Sequence, residues 1–399
     1  MRSKMRIIAV GIVLILLGCD AKSQSNELCL IIKEQYVSGA MSTESYLPLL
    51  EGKSIGVVAN QTSIIGTTHL VDTLLSLNVN VKRIYTPEHG FRGAADAGAK
   101  VENGKDAKTG IEIASLYGKT KKPTPEMLSG IDLMLFDLQD VGVRFYTYIS
   151  TLTYVMEACA ENHIPVVVLD RPNPNGFYID GPVLKEENKS FVGMHPVPVV
   201  YGMTIGEYGK MVNGEGWLKN GVTCDLTVIP VPGYQRDAIY ELPVRPSPNL
   251  PNWESVYLYP SLCFFEGTIV SVGRGTDKPF QVYGHPGLRG DYTFTPQSVA
   301  GASKPLLEGQ RCRGFNLTDY AHNYAENPCE LQLEWLIEAY QQLKEQSFFN
   351  NYFPKLSGDK QVQRDIENGK SAEELRAVWE SDLEAFKAIR NKYLIYPTF

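Results

Sequence analysis

Two runs in this chain, Ile131-Asp-Leu-Met-Leu-Phe-Asp137 and Pro165-Val-Val-Val-Leu-Asp170, are apolar at consecutive rather than alternate residues. A strand wetted on one face alternates apolar and polar side chains, so strands of this kind must be covered on both faces. The intervening segments supply the cover: residues 67–77 place Leu70, Leu74 and Leu77 at helical spacing, and residues 150–162 form a second helix. With strands at 54–60, 81–85 and 113–117 and a short helix at 125–128, the order predicts an α/β fold, a Rossmann-like, mostly parallel sheet. After Gly181 the chain becomes rich in Pro, Gly and Tyr, with a helix expected at 205–213 and a strand at 226–231. The Pro-fixed segment Arg245-Pro-Ser-Pro-Asn249-Leu-Pro251 marks the boundary to a smaller, auxiliary C-terminal domain of α+β type, closed by helices at 330–344 and 372–393. The expected division is 46–245 and 246–399.

The first residues carry a different signal. Arg2, Lys4 and Arg6 precede an apolar run at 7–17, which at about eleven residues is too short to span a bilayer. It ends in Leu16-Leu17-Gly18-Cys19, similar to a bacterial lipoprotein signal in which cleavage leaves Cys19 as the lipidated N-terminus. Residues 1–19 are thus expected to be a leader and 20–45 a polar tether and lead-in, with the mature chain working outside the cytoplasm, on the periplasmic side of a lipid-anchoring membrane. Disulfides are permitted there, and Cys312 with Cys329 is the first pairing to test. A net charge of -7 without a basic block argues against a nucleic-acid partner.

In parallel sheets ligands bind beyond the carboxyl ends of the strands, so the loops there are the informative part. Pro87-Glu-His-Gly-Phe-Arg-Gly93 follows one strand and offers Glu88, His89 and Arg92. Gln139, Asp140, Arg144 and Tyr146 follow a second strand, and Asp170, Asn173 and Asn175 a third. If the strands run side by side in one direction, all three loops open on one edge and share one cavity. No Gly-x-Gly-x-x-Gly turn follows the first strand, which reads Val58-Ala-Asn-Gln-Thr-Ser63, so the sheet lacks a dinucleotide fingerprint. Neither a nucleophile elbow, a phosphate loop nor a close-spaced metal-ligand set is present, and no cofactor or metal is implied.

Carboxylate chemistry remains. Glycoside cleavage needs a proton donor to the leaving oxygen and a second group to stabilise or attack the oxocarbenium-like carbon. Glu88, Asp140, Asp170 and Glu266 are the available acids in Gly-rich or Pro-rich surroundings, with Glu88 favoured as the acid. Phe91 beside it would raise its pKa by desolvation, whereas His89 or Arg92 would keep it ionised.

These motifs together resemble the exo-β-N-acetylmuramidases of the NamZ type, formerly a domain of unknown function. The residues that carry the resemblance are Ala59-Asn-Gln-Thr62, the heptad at 87–93, Phe136-Asp-Leu-Gln-Asp-Val-Gly-Val-Arg-Phe-Tyr-Thr-Tyr148, Asp170-Arg-Pro-Asn-Pro-Asn-Gly176, Gly202-Met-Thr-Ile-Gly-Glu207, Pro246-Ser-Pro-Asn249, Phe265-Glu-Gly-Thr268 and Gly273-Arg-Gly-Thr276. The resemblance implies a Rossmann-like domain without nucleotide, an auxiliary domain and a cleft between them. It also implies release of N-acetylmuramic acid from non-reducing ends of peptidoglycan fragments, with Glu88 as catalytic glutamate and Asp140, then Asp170, as second group. Asn249, Glu266, Arg274 and Thr276 join the expected substrate contacts. Because N-acetylmuramic acid bears a lactyl carboxylate, a guanidinium is expected in the site, from Arg92, Arg144 or Arg274. Tyr146 and Tyr148 offer faces for a sugar. The competing expectation is a lipid-anchored protein that captures cell-wall fragments without cleaving them.

Overall fold

The computed structural model describes residues 31–33, 37–91 and 103–398 of the chain; the expected leader, Cys19 and Arg92 lie outside the described residues. Strands β1 (Ser54–Ala59), β2 (Asn80–Thr86), β3 (Gly104–Lys105), β4 (Glu112–Ser115), β5 (Leu133–Asp137), β6 (Val166–Leu169) and β7 (Leu226–Ile229) form one seven-stranded sheet in the order β7-β6-β5-β1-β2-β4-β3. Every neighbouring pair is parallel except the edge pair β3–β4. The chain grows outward from β1 through β2 to β4, then restarts on the other side of β1 with β5. That reversal opens a crevice beyond the carboxyl ends of β1 and β5.

Alternate residues of one strand feed two separate cores. Val58, Met134, Phe136, Val166 and Val168 face helices α3 (Tyr148–Glu161) and α4 (Ile205–Gly214), joining Leu152, Met156, Tyr208 and Met211. Ile55, Val57, Leu133, Leu135, Val167 and Leu169 face α1 (Thr43–Leu50) and α2 (Leu70–Ser76), joining Tyr46, Leu50, Leu70 and Leu74. The consecutive apolar residues of the sequence are explained by this two-sided burial. The expected helix at 67–77 begins later, because Thr68–His69 pairs with Ile64–Ile65 before His69 caps α2.

The second half starts with α5 (Trp253–Leu262), an element the sequence pattern does not predict because Pro260 lies within it. Asn252 and Ser255 form a reciprocal cap at its N-terminus, which sets the start after the Pro-rich boundary segment. Strands β8 (Val282–His285), β9 (Tyr292–Phe294) and β10 (Cys312–Asn316) make a small antiparallel sheet, and α6 (Glu334–Leu343) and α7 (Ala372–Arg390) complete the fold. Phe145 meets Tyr259 and Phe264 edge-on at ring separations of 5.4 and 6.1 Å, so the larger core runs unbroken from the sheet into this half. The tail then returns to the first half: the Ile395 and Tyr396 N–H groups donate to Glu207 Oε1 at 2.8 and 3.3 Å. Glu207 is itself in a buried pair with Arg236 at 2.7 Å.

The Cys312–Cys329 pairing is not present; both are free thiols. Cys312 packs with Val282 and Phe294 in a small cluster on the β8–β10 sheet, whereas Cys329 lies against the main core, so the two sulfurs serve different packing environments.

Candidate active site

The turn after β2 is built from two successive left-handed residues, His89 at φ 71 and Gly90 at φ 77. Glycine adopts that conformation freely and histidine tolerates it better than a β-branched residue would, so the chain reverses sharply just past the strand end. His89 is buried and its Nε2 lies 3.2 Å from Ser247 Oγ, which fastens the turn to the boundary segment. Glu88 is left half-buried at the rim. Its Oε2 accepts a hydrogen bond from Thr147 Oγ1 at 3.1 Å, and the Tyr117 hydroxyl is a second hydrogen-bonding neighbour. Burial raises the Tyr117 pKa and the Glu88 charge raises it further, so this phenol remains a donor. Sequence reasoning places Tyr117 inside a strand; β4 stops at Ser115, and the ring belongs to the loop beyond it.

The Asn60-Gln-Thr62 loop after β1 organises the floor. Asn60 Nδ2 donates to the Tyr148 hydroxyl at 2.8 Å, and Asn60 Oδ1 accepts from the Thr62 hydroxyl at 2.6 Å. Tyr148 reaches the Glu88 backbone carbonyl at 3.5 Å. Both Glu88 and Asp140 act on the Tyr148 phenol, whose pKa is raised chiefly by burial.

Asp140 is only 3% exposed. Tyr201 donates to its Oδ2, Gly142 N–H donates to the same oxygen at 2.7 Å, and Oδ1 is buried without a partner. Burial pushes its pKa up to about 7, against these two hydrogen bonds. The folded state therefore holds its proton more tightly than the unfolded chain does. Between about pH 4 and pH 7 the native protein binds more protons than the unfolded one, and stability falls as pH rises. Asp140→Asn keeps an acceptor for Tyr201 and Gly142 and removes the charge. It is expected to match the wild type near pH 4 and to gain on it up to pH 7, by at most about 1.4 kcal/mol per pH unit. Denaturant midpoints measured across that range check this; parallel pH dependences would refute it.

Several other expected contacts turn out to be structural. Arg144, expected at the lactyl carboxylate, is 0% exposed. Its Nη1 donates to the carbonyls of Pro182 and Val197 at 2.7 and 2.8 Å, and its Nη2 to those of Leu356 and Ser357 at 2.9 and 2.7 Å. Asp170 is fully buried, accepting from the hydroxyls of Thr204 and Tyr396 at 2.6 Å each and from Gly206 N–H at 2.8 Å. It thereby orders the start of α4 and anchors the tail, with burial raising its pKa to about 6. Asn173 and Asn175 are spent on the carbonyls of Met203, Val141 and Val256. Gln139 donates to the carbonyls of Asp140 and Pro172, both at 2.7 Å, and the buried Tyr146 donates to Pro246 O at 2.8 Å. Strand-end loops must satisfy many backbone carbonyls as they turn, and these amides and hydroxyls do that work. The residues after β2, β5 and β6 share one edge, but Asp140 and Asp170 are buried within it.

The open space lies toward the second half. A cavity of about 640 Å³ is lined by Glu266, Thr268, Ser271, Arg274, Lys304 and Asn350 among others, within the range of small-molecule sites. Glu266 and Arg274 pair in its wall at 2.7 Å, and the guanidinium lies 4.9 Å from the Phe280 ring centroid. Thr276 caps the intervening turn through its hydroxyl to Gly273 O at 2.7 Å. Asn249 contributes indirectly, its Nδ2 donating to Gly301 O on the cavity wall at 2.9 Å. Tyr352, which sequence reasoning misses, follows Asn350 of the cavity wall and lies within electrostatic reach of Glu88. Its ring is 37% exposed, its N–H donates to Asn350 Oδ1 at 2.8 Å, and its phenol, raised in pKa mainly by burial, feels the charges of both Glu266 and Glu88. It was invisible in the sequence because it lies more than 260 residues from Glu88 and belongs to no polar motif. The Glu88 rim, Tyr117 and Tyr352 thus form a polar, aromatic edge beside a cavity that holds one further carboxylate and two cations.

Comparison with known proteins bears on that edge. The family model described as exo-β-N-acetylmuramidase NamZ, N-terminal, matches residues 55–254, and its C-terminal counterpart matches residues 257–396. A peptidoglycan β-N-acetylmuramidase NamZ of Bacillus subtilis is 40% identical over 372 residues, 88% of this chain and 89% of that protein. Crystal structures of two DUF1343 family proteins from Bacteroides fragilis each cover 92% of this chain and 100% of their own. One superposes with a TM-score of 0.84 at 45% identity and the other with 0.78 at 29%.

Proposed function

The chain belongs to the NamZ family of exo-β-N-acetylmuramidases and is a glycosidase, and from that premise we propose that it releases N-acetylmuramic acid from non-reducing ends of peptidoglycan fragments, with Glu88 as the catalytic carboxyl group. The observation that carries this reading is the setting of Glu88: a half-buried carboxyl on the ligand-binding edge of the sheet, held by Thr147 and Tyr117, with Tyr352 feeling both its charge and that of Glu266 in the wall of a sugar-sized cavity. Among the described residues, neither of the other carboxyl groups expected for catalysis or contact, Asp140 and Glu266, stands open in the same way. Asp140 is buried and bonded to Tyr201 and the Gly142 N–H, and Glu266 is tied to Arg274. In this reading the 2-acetamido group of the substrate supplies the nucleophile.

In that scheme protonated Glu88 gives its proton to the glycosidic oxygen as the C1–O bond breaks. The acetamido carbonyl oxygen forms a bond to C1, and the leaving alcohol departs neutral. The Glu88 carboxylate then takes a proton from water, whose oxygen attacks C1 and reopens the ring; the anomeric configuration is retained. Incubating the purified protein with the disaccharide of N-acetylmuramic acid and N-acetylglucosamine is expected to yield free N-acetylmuramic acid in the β configuration first. Binding without release would instead support a capture protein, and an α product would reject participation of the acetamido group.

The same reading extends to location. Arg2, Lys4 and Arg6 before the apolar run at 7–17, ending at Cys19, support export and lipid anchoring at an extracytoplasmic membrane face. Mass spectrometry of the mature N-terminus is expected to find a lipid-modified Cys19, and Cys19→Ala is expected to move the protein into the soluble fraction.

A further inference from the structure

The muramidase reading requires a cation for the lactyl carboxylate, and Arg144 does not supply it, because its guanidinium is committed to four backbone carbonyls. Among the described residues, the charged ones lining the cavity are Glu266, Arg274 and Lys304. Glu266 and Arg274 neutralise each other at 2.7 Å, which leaves the cavity one positive charge, on Lys304. Lys304 is exposed and takes part in no ion pair among the described residues.

Its backbone is nonetheless held in place. Val299 and Ala302 exchange both backbone hydrogen bonds at 3.2 and 3.0 Å, closing the turn just before it. Asn249 Nδ2 grips Gly301 O at 2.9 Å, and Gln297 N–H donates to Gly275 O at 2.9 Å, next to Arg274. The Pro-Asn boundary motif and the Gly-Arg-Gly-Thr motif therefore both fix the wall that carries Lys304. An ammonium in no ion pair among the described residues, on an anchored loop, in a cavity whose described lining carries one unit of net positive charge, is a site for one carboxylate.

We propose that Lys304 is a specificity-determining residue that pairs with the lactyl carboxylate and so selects N-acetylmuramic acid over N-acetylglucosamine. This rests on the muramidase reading above and adds a named source for the sugar preference. Opposite charges across a half-open cavity give a charge-assisted hydrogen bond that water weakens but does not abolish.

Titration calorimetry on the full chain tests it with two monosaccharides, N-acetylmuramic acid and its lactyl methyl ester. The wild type is expected to bind the acid about 10–100-fold more tightly than the ester, a preference that shrinks in high salt. In Lys304→Met the acid should fall to the affinity of the ester, which itself stays unchanged, and Lys304→Arg should restore most of the preference. Equal thermal midpoints for the three proteins establish that each is folded. An acid preference that survives in Lys304→Met, a wild type that does not distinguish acid from ester, or an equal loss for both ligands overturns the proposal. Release of N-acetylmuramic acid from disaccharide by the wild type is scored separately. Cleavage with an intact acid preference in Lys304→Met rejects the role of Lys304 alone, whereas no cleavage rejects the muramidase reading.

Discussion

Glu88→Gln is expected to lower turnover on a chromogenic N-acetylmuraminide by about 10²–10⁴-fold while leaving the thermal midpoint close to that of the wild type. The substitution is isosteric. Thr147 Oγ1, now 3.1 Å from Oε2, still finds an acceptor in the amide oxygen, and the turn at His89 and Gly90 depends on backbone geometry and on Ser247 rather than on the carboxyl group. What disappears is a proton that can be given to the glycosidic oxygen and taken back from water. The loss should fall on kcat more than on KM, because the interaction exists only as the leaving oxygen gains charge. Turnover within a few-fold of wild type would remove Glu88 from the chemistry, and the proposed mechanism with it. Substrates whose leaving group needs no protonation should be cleaved with a much smaller deficit, which separates a lost acid from a damaged site.

The second large effect is on stability. Arg144→Met is expected to cost about 3–5 kcal/mol, because it strips the partner from a buried polar cluster and replaces it with a thioether of similar length. The four carbonyls that Arg144 satisfies come from Pro182, Val197, Leu356 and Ser357, so the guanidinium pins a loop of the first half to the end of a short helix in the second. Gly358 shows how closely the structure is fitted to it: its φ is +79, and a Cβ there would lie 2.4 Å from Nη2. Burial lowers the Arg144 pKa to about 9, with no carboxylate to hold it up, yet the group stays charged at neutral pH. Arg144→Lys, with three donors in place of five, should recover part of the loss. Denaturant midpoints read the effect directly. Had Arg144 bound the lactyl carboxylate, Arg144→Met would raise KM and leave the midpoint near its wild-type value; that outcome would reject the structural role.

The same comparison shows what a sequence can convey. The apolar runs at 131–137 and 165–170 demand cover on both sides, and the structure supplies it with α1 and α2 on one face and α3 and α4 on the other. The same alternation of strands and helices predicts parallel strands with their loops on one edge, and the parallel pairing of β1 with β2 and β5 puts the Glu88 turn on the ligand-binding edge. Polar residues after strands are harder to read. Asp170, Asn173, Asn175 and Arg144 carry the residue types of a binding site, but each closes hydrogen bonds of the fold. The chain alone offers no means of telling a side chain that will meet substrate from one that will meet a carbonyl two hundred residues away.

The sequence by itself determined the parallel sheet, the edge on which chemistry could occur and the glutamate placed there, since all three follow from short-range patterns of apolar and turn-forming residues. Tertiary structure alone decided which charges are spent and which are free: it buried Asp140 against Tyr201, neutralised Arg274 with Glu266, brought the anchored Lys304 loop to the cavity and set Tyr352 within reach of the charges of Glu88 and Glu266. The physical reason is that burial and pairing set the electrostatic character of an ionisable group, and both depend on segments far apart in the chain.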